Sequence, residues 1–189
     1  RESDADVDAA VADIIADVRA RGDEAVCDYT NKFDRLNIDA AGMVVTKDEV
    51  DAAVGAIDAD LLKSLKLAAE RIRSYHDRQM PSDERYTDAT GVELGWRWRP
   101  VSAAGLYVPG GLASYPSSVL MNAIPAKVAG VERLVMVVPT PDNKMNPLVL
   151  AAAWIAGVDE IYRIGGAQAI AALAYGTQTI KPVDKIVGP

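Results

Sequence analysis

The chain has 189 residues, and its 20 Lys and Arg against 27 Asp and Glu give a formal net charge of −7. Half of the residues are hydrophobic and a quarter are charged, a composition typical of globular proteins and not of disordered or fibrous ones. The acidic balance argues against a nucleic-acid binder, and no apolar run is long enough to span a bilayer. We therefore expect neither nucleic acid nor a membrane as a partner.

Two residue types occur only once, as Cys27 and His76. A single cysteine excludes an internal disulfide and favours a reducing, cytoplasmic location. Zinc sites recruit several histidine or cysteine ligands, so the composition argues against a zinc site built from this chain alone. Acidic neighbours of Cys27, Asp23 and Asp28 among them, disfavour its thiolate and argue against a catalytic thiol.

Residues 1–99 have a helical pattern and many charges. An apolar stripe with helical spacing ends at Gly22, a second short helix follows, and Thr46 with Glu49 forms the signature of a capping box. Residues 43–46 predict a short strand. A longer helix is predicted over 60–79.

A β-hairpin closes this first region. Val92, Leu94, Trp96 and Trp98 alternate with polar residues, which predicts a half-buried strand after a turn at 88–91. The two tryptophans favour a place in the core or an interface. Residues 1–99 are thus predicted to be a helix-rich region with a hairpin, part of the first domain.

Residues 100–189 alternate between short apolar strands and helices. The strands are predicted over 105–108, 134–138, 160–164 and 185–187, with helices over 117–128, 147–156 and 167–175. This alternation is typical of an α/β fold, a parallel sheet with helices on both faces and a Rossmann-like layer order. Because the chain stops just after the last strand, we expect this domain to be incomplete and the chain to be part of a longer protein.

Ligands of such sheets bind beyond the carboxyl ends of the strands, which here means residues 107–114, 139–143 and 165–168. Glycine pairs at 110–111 and 165–166 follow strands, where they could admit a phosphate or only form tight turns. Tyr107 could contact a ligand or fill the core, and Gln168 could bind a ribose or amide or bond to its own backbone. No serine nucleophile motif is present, and we expect Ser117 to cap its helix.

Several long blocks resemble the histidinol dehydrogenase family. They are residues 99–101, 105–111, 118–121, 125–126, 165–177 and 183–189, with a further likeness at 22–25. The resemblance extends over nearly the whole chain. It implies an NAD-linked, zinc-requiring oxidation of L-histidinol to L-histidine through L-histidinaldehyde, in a homodimer with incomplete Rossmann-like domains.

The resemblance also implies which residues act. Tyr107 and Gln168 match family positions that contact NAD, and we expect both on one rim of a pocket, with Gln168 outside the deep core. The family's zinc ligands and acid/base pair come later in the sequence than Pro189. No catalytic or metal-binding residue is therefore assigned in this chain, which would supply the cofactor half of the site and be inactive alone.

Two alternatives remain open at this point. The chain could belong to a related NAD-dependent dehydrogenase of another small alcohol, such as a sulfonated diol. It could also be a non-catalytic nucleotide-binding module.

Overall fold

Four helices and a hairpin precede the main sheet in this computed structural model, which describes residues 4–110 and 115–188. These elements are α1 (Asp4–Arg21), α2 (Asp23–Asp34), α3 (Lys47–Gly55), α4 (Ala59–Asp77), β1 (Glu84–Thr87) and β2 (Glu93–Trp96). The capping box is confirmed. The Thr46 hydroxyl accepts a hydrogen bond from the Glu49 amide, while the Glu49 carboxylate accepts one from the Thr46 amide.

The second region builds the predicted parallel sheet. Its elements are β3 (Ala103–Tyr107), α5 (Pro116–Val128), β4 (Arg133–Val137), α6 (Pro147–Ala156), β5 (Glu160–Tyr162), α7 (Gly166–Tyr175) and β6 (Lys185–Val187). The strands lie side by side in the order β5-β4-β3-β6, and all three pairings are parallel. The α/β fold class predicted from the sequence is confirmed.

The sheet is covered on both faces. Strand β4 shows this directly, because Leu134 and Met136 pack with α5 and α6 while Val135 and Val137 pack with α1, α2 and α7. From β3 the chain passes through α5 to β4 and through α6 to β5, always in the same direction along the sheet. It then returns through α7 in the opposite direction, and β6 pairs with the far side of β3. A right-handed connection in the opposite direction must lie on the opposite face, which explains the position of α7.

Local signals define α6 closely. The Asn146 side chain accepts a hydrogen bond from the Leu148 amide, Pro147 occupies the first turn, and Gly157 ends the helix in a left-handed conformation with φ 76°. The prediction for α5 is wrong in one detail. Tyr115 holds the N-cap position without a side-chain hydrogen bond and Pro116 begins the helix, so Ser117 already lies inside it.

The strand predicted over 43–46 is also not formed. A short 3-10 helix (Ala41–Met43) ends there, and Val44 makes a single antiparallel bridge to Tyr162. The Val45 amide donates to the carbonyl of Ile161, and the Arg163 amide donates to that of Met43. This segment therefore covers the open edge of β5, which would otherwise expose unpaired backbone groups.

The predicted hairpin forms, with Tyr86 opposite Leu94, but it is not half-buried. Every residue of β1 and β2 is exposed. Its large apolar side chains keep between 42% and 57% of their surface accessible; they are Tyr86, Val92, Leu94, Trp96 and Trp98. The alternation was read correctly as a strand, but its apolar face lacks a covering layer in the described part of the chain.

Close packing fixes α7 on the sheet. A Cβ atom added to Gly105 of β3 would lie 2.9 Å from a methyl carbon of Leu173 in α7 and 3.2 Å from one of Val183. With any larger residue at this position, the side chains of Leu173 and Val183 would have to shift. None of the helices in the described part of the chain is long and apolar enough to cross a membrane.

We expect Gly105→Ala to lower the free energy of unfolding by about 1–3 kcal/mol, since the added methyl group overpacks the contact between β3 and α7. Denaturant unfolding measures the change. Gly55→Ala is the matched control, because a Cβ atom there meets nothing within 4 Å and should leave stability unchanged or higher. Equal stability of the two variants would contradict the packing argument.

Candidate functional site

A cavity of about 400 Å³ opens at the carboxyl ends of β3 and β6. Its lining residues are Tyr107, Gly166, Ile170, Ile186, Val187 and Gly188. Strand order reverses between β3 and β6, because β4 and β5 extend the sheet on one side of β3 and β6 adds to the other. The cavity therefore lies at the topological switch point, where open α/β sheets bind their ligands.

Tyr107 is half-buried at the end of β3 and faces α7. Its hydroxyl oxygen accepts a hydrogen bond of 3.0 Å from the Gly166 amide, the first residue of α7. Amides in the first turn of a helix have no partner within the helix and attract negatively polarised groups. The Gly166 amide could donate to a ligand in the cavity, but here it already donates to the Tyr107 hydroxyl.

Gln168 is the third residue of the same helix. The sequence analysis placed it outside the deep core, and its burial corrects that expectation. Only 2% of its surface is accessible, so it belongs to the core and not to an open rim. Its side-chain oxygen Oε1 is buried and has no hydrogen-bond partner. A buried acceptor without a partner costs about 1–3 kcal/mol, and a ligand donor would relieve that cost.

The two residues singled out from the sequence meet at one glycine. The Gly166 amide donates to the Tyr107 hydroxyl, and a Cβ atom added to Gly166 would lie 2.7 Å from Oε1 of Gln168. Gly166 also has φ +64°, a conformation that other residues adopt only with strain. The structure therefore brings Tyr107 and Gln168 together at the start of α7.

The glycines that follow β3 and β5 have a packing role. An added Cβ atom would lie 1.9 Å from the Pro139 carbonyl oxygen at Gly110, and 2.5 Å from the Pro139 side chain at Gly165. Both loops therefore press against the loop that follows β4. Gly111 and Ser114, which belong to the predicted ligand edge, lie outside the described residues.

A polar corner, defined here as Arg35, Glu49, Asp142, Asn143 and Arg163, lies where β4 and β5 end. Arg35 donates from Nε and Nη2 to the two carboxylate oxygens of Asp142, at 2.7 and 2.8 Å. Arg163 donates to Asn143 and to Glu49. Asp142 and Asn143 belong to the predicted ligand edge at 139–143, but their pairing with the two arginines was not predicted. An acidic residue shortly after the second strand of the sheet is the signal that could have indicated Asp142.

Charge pairing holds the carboxylates of this corner in the ionised form. The hydrogen bond from Arg35 lowers the pKa of Asp142 below its usual value. Partial burial alone would raise the pKa of Glu49, but the hydrogen bonds from Arg163 and Thr46 outweigh it and the pKa is lowered. Both side chains are therefore anionic at neutral pH.

The described residues offer no group of three or more His, Cys, Asp and Glu side chains that could hold a metal ion. They do not fit a zinc site. Cys27 is buried, and burial together with the nearby Asp23 raises the pKa of its thiol to about 11. It is therefore protonated at neutral pH, as its acidic neighbours predict.

A parallel sheet with its cavity at the switch point defines a Rossmann-like ligand-binding unit. The family model for histidinol dehydrogenase matches residues 1–189. Histidinol dehydrogenases from Cereibacter sphaeroides and Rhodospirillum rubrum are 65% and 67% identical over 189 residues, which is all of this chain and 44% of each relative. The crystal structure of histidinol dehydrogenase from Elizabethkingia anophelis matches with a TM-score of 0.93 at 33% identity, over 100% of this chain and 43% of that one.

The chain belongs to the histidinol dehydrogenase family, as the sequence blocks predict. It spans less than half the length of the relatives it matches.

Tyr107→Phe tests the contact between Tyr107 and α7. Loss of a neutral hydrogen bond, about 0.5–1.5 kcal/mol, should speed hydrogen exchange of the Gly166 amide roughly twofold to twelvefold. Exchange followed by NMR in the intact protein measures this. Tyr75→Phe, at an exposed position on α4, is the control and should leave Gly166 unaffected. Unchanged exchange in both variants would show that the phenol does not protect α7.

Proposed function

We propose that this chain supplies the cofactor-binding half of an enzyme that oxidises L-histidinol to L-histidine through L-histidinaldehyde, with NAD⁺ as oxidant. The observation that carries the proposal is the cavity at the switch point of a chain of this family, lined by Gly166, with the unpartnered Oε1 of Gln168 buried close to that glycine. The single cysteine is in keeping with the cytoplasmic location that we propose with it.

The residues at the cavity fit a dinucleotide. Oε1 of Gln168 is an acceptor, which suits a ribose hydroxyl or the amide of nicotinamide. The start of α7 offers amide donors and a partial positive charge to a phosphate. Ile170, Ile186 and Val187 give the cavity apolar walls, which suit a flat ring and exclude water from it.

Two NAD⁺ molecules would each accept one hydride from the substrate carbon, the first to give the aldehyde and the second, after addition of water, to give the carboxylate. In this proposal the chain binds and orients the cofactor. Gln168 forms a hydrogen bond with one polar group of the cofactor. The Tyr107 hydroxyl either gives up the hydrogen bond from the Gly166 amide to the cofactor or shares that donor with it. The zinc requirement belongs to the proposal as well. Because the described residues do not fit a zinc ion, we assign its ligands to the part of the protein outside this chain and derive no step from it.

Gln168→Ala in the intact enzyme should raise the KM for NAD⁺ roughly twofold to twelvefold, since it removes one neutral hydrogen bond. Stability should stay within about 1 kcal/mol, because relief of the unpartnered oxygen offsets the lost packing. Steady-state kinetics and thermal unfolding measure the two effects. Gln79→Ala, at an exposed site, is the control. An unchanged KM would remove Gln168 from the cofactor site.

The same proposal includes a homodimer, with the exposed hairpin as one of its contact surfaces. A two-stranded hairpin is marginally stable alone in water and needs a further layer on its apolar face. Here Tyr86 packs edge-on against Trp96, with 6.5 Å between the ring centroids, and Leu94 and Trp98 extend the exposed surface. A contiguous aromatic surface of this kind is typical of protein interfaces.

Leu94→Ser combined with Trp98→Ser should shift the intact protein from dimer towards monomer, because it removes apolar area from the proposed contact. Sedimentation velocity across a dilution series measures the shift. Leu67→Ser, which replaces an exposed leucine on α4, is the control and should leave the sedimentation unchanged. A hairpin variant that sediments like its parent would contradict this part of the proposal.

A further inference from the structure

The turn that joins β5 to α7 is short and leads directly to the cavity. Only Arg163, Ile164 and Gly165 separate the end of β5 from Gly166, which begins α7 and lines the cavity. Ile164 is fully buried. Because so few residues connect them, a displacement of Arg163 also displaces Gly166. The contacts that hold Arg163 therefore bear on the cavity.

Three other segments of the chain hold Arg163. Its backbone amide donates to the Met43 carbonyl at 2.8 Å. Its Nη1 donates to Oδ1 of Asn143 at 3.2 Å, and its Nη2 donates to the Glu49 carboxylate. The side chain is only 12% exposed, and its Nε is buried without a partner. The two outer nitrogens therefore fix the guanidinium, one against the turn after β4 and the other against α3.

The turn after β4 also meets the turn after β5 at a second point. A Cβ atom added to Gly165 would lie 2.5 Å from the Pro139 side chain. Pro139 precedes Thr140, whose carbonyl accepts a hydrogen bond of 2.9 Å from the Asn143 amide. The two turns are thus held together twice, through Pro139 and Gly165 and through Asn143 and Arg163. Both contacts lie within three residues of Gly166.

The Gly166 amide is the group that these contacts orient. Gly166 has φ +64°, and its amide donates to the Tyr107 hydroxyl at 3.0 Å. A hydrogen bond weakens steeply when the donor turns away from its acceptor, so its strength depends on the orientation of the peptide between Gly165 and Gly166. Amides at the start of α7 are also the donors that the proposed function offers to a phosphate. Residues that fix this peptide can thus affect ligand binding without touching the ligand.

We propose that Arg163 is a positioning residue of the cofactor site. It links Glu49 of α3 and Asn143 of the turn after β4 to the turn before α7, and so keeps the Gly166 amide oriented towards Tyr107 at the cavity. The part of the inference that concerns the cofactor rests on the proposed function. Through this ion pair the first region of the chain, which lends no residue to the cavity lining, contributes to the geometry of the site.

Two variants each remove one partner of Arg163. Glu49→Gln removes the charge and keeps the capping box, because glutamine also serves at that helix position. Asn143→Gly removes the other partner, and glycine adopts the φ of 57° at this position without strain. Each should speed hydrogen exchange of the Gly166 amide roughly twofold to twelvefold, since the turn before α7 is held less firmly. Exchange followed by NMR in the intact protein, without cofactor, measures this, and either variant suffices should the other fail to fold.

Two controls separate positioning from stability. Asp51→Asn removes a carboxylate of the same helix that is 48% exposed, against 43% for Glu49, and is paired with Lys47 instead. It should leave exchange at Gly166 unchanged. The amide of Val135, fully buried in the middle of the sheet, reports global unfolding in every variant. A merely structural role speeds exchange at both amides equally, whereas a positioning role speeds it more at Gly166.

Binding of NAD⁺ tests the second half of the inference. Titration calorimetry of the intact protein should show a Kd for NAD⁺ that rises roughly twofold to twelvefold in Glu49→Gln and in Asn143→Gly, because a misaligned amide weakens one hydrogen bond. Arg163→Gln loses both contacts and should raise the Kd at least as much. Asp51→Asn should bind like the parent.

The outcomes separate the two proposals. Exchange at Gly166 that stays within twofold of the parent, or that rises only as much as at Val135, would overturn the positioning role. A parent protein that binds NAD⁺ with a Kd that none of the three variants changes would overturn the link to the cofactor while the proposed function stands. A parent protein that binds no NAD⁺ would overturn the proposed function, and the exchange experiment would still decide whether Arg163 positions Gly166.

Discussion

The distance between α7 and β3 governs the site. Gly105 has no side chain, so Leu173 of α7 comes against the strand itself. Side chains alternate along a strand, so Tyr107, two residues further, lies on the same face as Gly105 and reaches the start of α7. The close contact at Gly105 and the hydrogen bond between Tyr107 and Gly166 thus hold α7 to the same strand at two points.

Two different environments share that edge. The cavity beside β6 has mostly apolar walls, and the Tyr107 side chain and Gly166 bring polar atoms to it. The corner beyond β4 is charged, and its arginines and carboxylates are already paired. An apolar recess next to a polar, rigid corner suits a ligand with a flat ring at one end and a sugar at the other.

Local signals explain what the sequence predicted well. Asn146, Pro147 and Gly157 set the ends of α6 through their own backbone and side-chain preferences, and the Thr46–Glu49 capping box is equally local. The family blocks located Tyr107 and Gln168, and the structure brings both to Gly166. These features depend on residues within a few positions of one another, or on long matching segments.

Burial was harder to predict, because it depends on distant partners. Alternation along β2 identifies a strand but does not reveal whether another layer covers Trp96. Gln168 looked like an ordinary residue of a first helical turn, and only the packing of α7 between β3, α1 and α2 encloses it. The polar corner could not be foreseen either, because it joins Arg35 and Glu49 of the first region to residues that follow β4 and β5.

The packing of α7 against the first two helices also affects how the chain folds during synthesis. Asp23, at the start of α2, accepts hydrogen bonds from the amide and hydroxyl of Thr179, 156 residues later. At translation rates of about 5–20 residues per second, the apolar face of α1 and α2 would wait roughly 8–30 s for this partner. Throughout that interval the nascent helices expose Val18 and Val26, which are buried in the finished fold. The amino-terminal helices therefore stay partly uncovered on the ribosome until α7 and the residues after it have been made.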